Sequence, residues 1–171
     1  MNLVDFIPGV PDYPKPGILF YDITPLLADP HALDESVSRL AASVEALDVT
    51  CVAGIESRGF IFGAAVAREL GLGFVPIRKP GKLPRETISE EYSLEYGTDK
   101  IEMHRDALKK GDRVLLVDDL LATGGTMKAA TSLVEKTGAE VARIAFVVEL
   151  LFLDGRKKLD GYDVVSLVTF S

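Results

Sequence analysis

The chain has 171 residues, 47% of them hydrophobic and 26% charged, with a formal net charge of −7. That length suits one domain with a full core, and the acidic balance argues against broad binding to nucleic acid or to an anionic membrane surface. One cysteine, Cys51, excludes an internal disulfide and points to a reducing, cytoplasmic compartment, while no apolar run is long enough for a membrane-spanning helix and the opening M-N-L-V-D-F-I-P is not expected to act as a secretory leader.

Residues 1–29 carry Pro8, Pro11, Pro14, Pro16 and Pro25, a density that excludes regular helix or central strand. The same stretch holds Phe6, Ile7, Val10, Tyr13, Ile18, Phe20 and Ile23, too many apolar groups for a disordered tail. It is expected to be an ordered, irregular hood lying on the main domain. Leu33, Val37, Leu40, Ala41, Val44 and Leu47 recur at spacings of three and four, which predicts a helix over Pro30–Leu47. Val49–Ile55 reads as a buried strand, with Cys51 as strand filler, followed by Glu56-Ser57-Arg58-Gly59. A helix over Phe60–Leu70 closes at Gly71, and Phe74–Arg78 is the next strand.

Lys79–Lys100 has Pro80, Gly81, Pro84 and charges of both signs, and only Tyr92–Gly97 within it has a strand-like pattern. A structureless stretch of this length inside a domain is expected to be a functional, flexible lid. A short helical turn is predicted at Asp106–Lys110. Arg113–Val148 then repeats the strand, turn, helix, strand order, with the helix over Met127–Thr137 and the last of these strands at Val141–Val148. A polar turn at Asp154–Lys158 and a strand at Val164–Phe170 complete the chain. Two β-loop-α-β units imply a mostly parallel α/β sheet flanked by helices, with the loops at Glu56 and Asp118 on one sheet edge, where ligands of such sheets bind.

No Walker sequence occurs, Gly71-Leu72-Gly73 has the wrong context for a dinucleotide fold, and His104-Arg105-Asp106 lacks the companions of a kinase loop. His31 and His104 are the only histidines, which leaves no credible zinc site. The chemistry concentrates in Val114–Met127. There a short apolar strand leads to Asp118 and Asp119, and Ala122-Thr123-Gly124-Gly125-Thr126 opens a helix. Such a turn aims backbone N–H groups and a helix N-terminus at a phosphate. The carboxylates beside it are acceptors only, so they suit hydroxyls or a hydrated metal ion. A ribose 5-phosphate satisfies both halves.

This string resembles the phosphoribosyl pyrophosphate (PRPP) motif of the type I phosphoribosyltransferases, in the variant of their adenine-specific branch. Four further blocks agree with that branch in order and spacing: Pro14–Pro25, Gly54–Phe60, Arg78–Pro84 and Tyr92–Gly97, so that the likeness runs over about residues 8–155. The resemblance implies transfer of the 5-phosphoribosyl group from PRPP to adenine, giving AMP and pyrophosphate in purine salvage, with Mg²⁺ and as a homodimer. It implies ribose-phosphate binding by Asp118, Asp119, Ala122, Thr123, Gly124, Gly125 and Thr126. Pyrophosphate would fall to Glu56, Ser57, Arg58, Gly59, Arg78, Lys79 and Lys82, with His104 a weaker candidate. Phe20 and Leu120 would sandwich the base, selected by backbone groups near Leu19 and Tyr21, although many relatives carry Arg where this chain has Tyr21. Glu95 matches the proposed acid/base residue at the purine N7, Arg58 is the other catalytic candidate, and Tyr96 would close the lid. Mg²⁺ would be held mainly through PRPP and water near Asp118 and Asp119. Two alternatives stay open, a phosphoribosyltransferase for hypoxanthine, xanthine or orotate and a PRPP-sensing regulator.

Overall fold

In the computed structural model, which describes residues 1–94 and 96–171, the chain begins with a 3₁₀ turn at Leu3–Phe6. A hairpin of two short strands follows, β1 (Gly9–Pro11) and β2 (Leu19–Tyr21). Proline permits this arrangement because the pair stands apart from the main sheet, where missing N–H donors cost little. The hood is anchored rather than loose, since Leu3 and Ile7 are buried in the core. After α1 (Thr24–Ala28), α2 (Pro30–Ala42) is started by Asp29, whose carboxylate accepts from the N–H groups of His31 and Ala32 at 3.0 and 2.9 Å. α2 stops at Ala42, short of the predicted Leu47; Val44 remains buried through a chain of tighter turns.

β3 (Cys51–Ile55), α3 (Arg58–Leu70) and β4 (Gly73–Ile77) form the first unit. The second consists of β7 (Arg113–Leu121), α4 (Gly125–Lys136) and β8 (Glu140–Leu150), with β5 (Thr87–Ser93) and β6 (Thr98–His104) between the units. Two 3₁₀ turns, Leu151–Leu153 and Gly155–Leu159, lead to β9 (Val164–Phe170). The main sheet has the order β4-β3-β7-β8-β9, with every pairing parallel. Strand order reverses between β3 and β7, which places the ligand crevice at their carboxyl ends. β3 follows β7 only from Cys51↔Val114 to Gly54↔Val117, and β7 continues alone on that side to Leu121.

Side chains alternate across β7, so Leu115 and Val117 join a core layer with Leu40, Phe62 and Val66, while Val114 and Leu116 join another with Met127, Leu133 and Phe146. Each large apolar side chain buried this way contributes about 1.5–3 kcal/mol. Among the described residues, no helix is long and apolar enough to cross a membrane.

Three expectations need correction. Most of the supposed loop at 79–100 is an antiparallel hairpin, with β5 and β6 paired from Thr87↔His104 to Ser93↔Thr98. Ile101 and Met103 alternate inward to the core, and Lys136 on α4 holds the other strand through the Ser89 carbonyl at 2.9 Å and Glu90 at 2.5 Å. No helical turn forms at 106–110; hydrogen-bonded turns and a bend stand there instead. Finally, Asp118 and Asp119 do not follow the strand but lie within it.

Candidate active site

The loop after β3 gathers cations through a carboxylate. Glu56 Oε1 accepts from the Lys79 N–H at 2.7 Å and from Arg78 Nε at 3.3 Å, and Glu56 Oε2 pairs with Lys82 Nζ at 2.7 Å. Burial pushes the Glu56 carboxyl up, but the bonds from Lys82 and the Lys79 N–H, with the charges of Lys82 and Arg78, outweigh it and leave the group below its ordinary value. Glu56 therefore organises the basic cluster; as an acceptor it cannot itself hold an anion. Lys79 Nζ meets Tyr92 Oη at 2.8 Å and pairs with Asp99. Burial opposes its charge, and Asp99 and Tyr92 more than restore it. The Glu56–Ser57 peptide is cis. A cavity of about 300 Å³ opens here, lined by Glu56, Ser57, Arg58, Lys79, Tyr92, Asp118, Asp119, Leu120 and Thr126, among others.

Across the crevice, Asp119 is buried and its Oδ2 accepts from Arg58 Nε at 2.5 Å. That bond, against the cost of burial, raises the guanidinium's hold on its proton. Asp118 keeps a partly exposed edge, yet it is closely surrounded by protein, and burial followed by repulsion from Asp119 pushes its carboxyl well up. The start of α3 presses on it closely: a Cβ on Gly59 would stand 2.7 Å from Asp118 Oδ1. Gly59 thus supplies the clearance that lets the start of α3 lie against Asp118.

Beyond the carboxylates, the turn into α4 forms a cavity of about 90 Å³ lined by Asp118, Leu120, Leu121, Ala122, Thr123, Gly124, Gly125, Thr126, Met127 and Phe146. Gly124 precedes the helix at φ +85°, a conformation that side-chain-bearing residues rarely adopt. The first N–H groups of α4 have no partner within the helix, and its first residues, Gly125, Thr126 and Met127, line this space.

A third cavity, about 370 Å³, lies under the hood and is lined by Val10, Tyr13, Phe20, Tyr21, Asp22, Ile23, Thr24, Arg58, Asp119 and Leu120. Phe20 is braced edge-on by Tyr13, with ring centroids 5.1 Å apart. Tyr21 stacks on Phe170 of β9 at 3.8 Å and 17°. Leu120 borders all three cavities, and the middle one shares Arg58 and Asp119 with the hood cavity and Asp118 and Thr126 with the turn, so they lie side by side in one cleft.

Residues 27–169 match the family description of the phosphoribosyl transferase domain. An adenine phosphoribosyltransferase from Kosmotoga olearia is 57% identical over 170 residues, covering 99% of this chain and all of that protein. The chain belongs to the adenine phosphoribosyltransferase family. The crystal structure of the enzyme from Thermoanaerobacter pseudethanolicus superposes with a TM-score of 0.95 at 56% identity, covering 98% of each chain. That of the Saccharomyces cerevisiae enzyme, complexed with an imino-altritol bisphosphate and adenine, gives 0.91 at 40% identity over 96% of each chain. The α/β fold with its parallel sheet is that of this family.

Most of the residues singled out from the sequence converge on the cleft of this family member. Leu19 does not line it: it is half exposed and its side chain lies over Gly9. Arg78 faces the Phe60 ring at 5.8 Å and reaches the site only through Glu56. His104 lies outside, accepting the Arg85 N–H at 3.3 Å. Tyr96, 87% exposed, stands at the hairpin tip, and Glu95 lies outside the described residues. Sequence reasoning missed Tyr13, Asp22 and Thr24 in the hood cavity, and Tyr92 and Asp99 around Lys79. Asp22 carried a local signal, since an aspartate two residues before a threonine readily caps it; here it accepts from the Thr24 N–H at 2.8 Å and hydroxyl at 2.9 Å.

Proposed function

We propose that this chain transfers the 5-phosphoribosyl group of PRPP to adenine, forming AMP and releasing pyrophosphate. The carrying observation is the single cleft whose three compartments share Leu120: an apolar slot, a carboxylate-and-cation crevice, and a backbone-lined turn at a helix start. Each compartment matches one part of the reacting pair. The 5-phosphate sits in the turn of Ala122, Thr123, Gly124, Gly125 and Thr126. Asp118 and Asp119 accept the ribose hydroxyls. The base lies between Phe20 and Leu120, where stacking gives affinity without choosing among purines. The Tyr21 ring is committed to Phe170, so Tyr21, which lines the hood cavity, is left to meet the base through its backbone. A carbonyl there accepts the adenine amine and leaves a 6-oxopurine unmatched.

Bond breaking at the anomeric carbon develops negative charge on pyrophosphate, held by Ser57, Arg58, Lys79 and Lys82, with Arg78 positioned behind them. Arg58 rests on Asp119; an arriving pyrophosphate competes for the guanidinium and releases Asp119 toward the sugar. This exchange couples occupancy of the leaving-group site to preparation of the ribose site. Glu95 exchanges a proton at the purine N7 as N9 attacks, and Tyr96 closes over the reactants. Asp118 and Asp119, as oxygen donors, would stand beside a Mg²⁺ held mainly by PRPP and water. When bound, the ion neutralises charge on the departing pyrophosphate. A homodimer in the cytoplasm completes the proposal; the single cysteine, Cys51, accords with a reducing compartment. Incubation with Mg²⁺-PRPP and adenine, hypoxanthine, xanthine or orotate tests the reading. AMP from adenine is expected; preference for hypoxanthine would overturn the base assignment.

A further inference from the structure

The turn between β8 and β9 lies behind the phosphate cradle, and three observations tie the two together. First, the backbones meet without room for a side chain. A Cβ on Gly124 would stand 2.5 Å from the Gly155 carbonyl oxygen, and one on Gly155 would collide with the Ala122 carbonyl and the Leu121 side chain. Second, the turn is fixed to the sheet by a buried charge. Glu149, 3% exposed, receives Arg156 through Nε at 2.8 Å and Nη2 at 2.7 Å, and also the Ser166 hydroxyl at 2.7 Å. Arg156 Nη1 donates in addition to the Val164 carbonyl at 2.7 Å, so one guanidinium spans β8 and β9. Third, Glu149 is the direct register partner of Leu121, the last residue of β7 before the cradle.

We propose that Glu149 and Arg156 are positioning residues for 5-phosphate binding, acting through Gly155 on the backbone of Ala122 and Gly124. The inference rests on the reading of Ala122–Thr126 as the phosphate seat. A seat built from backbone N–H groups works only while their directions are held, and the loop itself contains two glycines with little intrinsic preference. The bidentate Arg156–Glu149 pair fixes a rigid wall behind it, and its planar geometry is one that lysine does not reproduce. The pair touches neither reacting atoms nor the pyrophosphate loop, so its effect falls on one ligand moiety.

The test measures Kd for ribose 5-phosphate and for pyrophosphate by calorimetry, with KM for PRPP and adenine, in the intact chain and in Glu149→Gln, Arg156→Lys and Gly155→Ala. The expected result is a ribose 5-phosphate Kd raised about tenfold and a parallel rise in KM for PRPP, with pyrophosphate Kd and adenine KM within about twofold of wild type. Ser166→Ala, which leaves Arg156 on Glu149, is a milder variant that keeps the fold and is expected to shift the same Kd by about two- to threefold. Wild type that binds ribose 5-phosphate, beside folded variants that bind it equally well, would overturn this inference alone. Equal weakening of both ligands would do the same, because it marks general loosening. Wild type that binds no ribose 5-phosphate would overturn the phosphate seat and this inference with it.

Discussion

The two β-loop-α units present their loops side by side on one sheet edge, yet under the proposed function they make anion sites by opposite means. After β3, the loop relies on long side chains, with Arg58, Lys79 and Lys82 held in place by Asp119, Asp99 and Glu56. After β7, the loop carries no charged side chain and offers backbone groups with the Thr123 and Thr126 hydroxyls, set by glycines and a helix start. The difference follows the fate of each anion. A leaving group must be held as its charge grows and then let go, which suits cations with alternative carboxylate partners. A 5-phosphate stays on substrate and product alike, which suits fixed dipoles whose reorganisation costs little.

That comparison can be broken from either side. The largest effect is expected for Arg58→Gln, with kcat/KM falling about 10²–10³-fold, as for loss of one preorganised charge in a closed site. Steady-state kinetics would show the loss chiefly in kcat; a change confined to KM for adenine would remove Arg58 from the leaving-group role. Next comes Gly124→Ala, which forces a Cβ into left-handed backbone 2.5 Å from the Gly155 oxygen. A stability loss of about 1–3 kcal/mol in urea unfolding and a rise in KM for PRPP of about tenfold are expected.

Glu56→Gln is expected to cost about 1–2 kcal/mol of stability at neutral pH, because a nearly buried carboxylate with three donors becomes neutral. Here the sign can be checked. The folded-state pKa of Glu56 is depressed, so its contribution is complete above the ordinary glutamate value of about 4.3 and is lost as pH falls through the lower folded value. The gap between wild type and Glu56→Gln should therefore be constant from about pH 7 to 5 and close below about pH 4. A gap that widens in acid would contradict the organising role. The smallest effect is expected for Lys82→Met, whose partner bond is half exposed: about 0–1 kcal/mol in stability. Its pyrophosphate affinity should lose salt dependence relative to wild type, whereas ribose 5-phosphate affinity should not.

The parallel sheet was legible because its strands are unbroken apolar runs such as Val114-Leu115-Leu116-Val117, and the crevice followed from where those runs end. The hairpin of β5 and β6 was hidden because its strands are only half buried. Ile101 and Met103 do alternate with charged residues, but Glu90, Glu91 and Lys100 dominate the composition. Within the site, local strings such as Ala122–Thr126 could be read, whereas contacts between distant segments could not. Nothing in Asp154–Lys158 announces that Gly155 rests on Gly124, or that Asp99 will receive Lys79, because each needs the completed topology. Glu56 shows the same limit in reverse. Its place beside the basic residues was foreseen, but only the bonds themselves reveal that it organises the cations.

Leu120 borders every compartment, and it does so from a strand rather than a loop. Asp118 and Asp119 therefore serve different parts of the cleft, Asp118 bordering the turn into α4 and Asp119 the hood cavity, while Leu120 borders both. A strand tolerates no change in count, since a slip of one residue exchanges its faces. Inserted or deleted residues at the hairpin tip or in the hood turn would lengthen or shorten a rim. The same change in β7 would turn its two carboxylates toward each other's side of the cleft. A change in chain length is thus tolerable only at the margins of this molecule, while the strand at its centre must keep count.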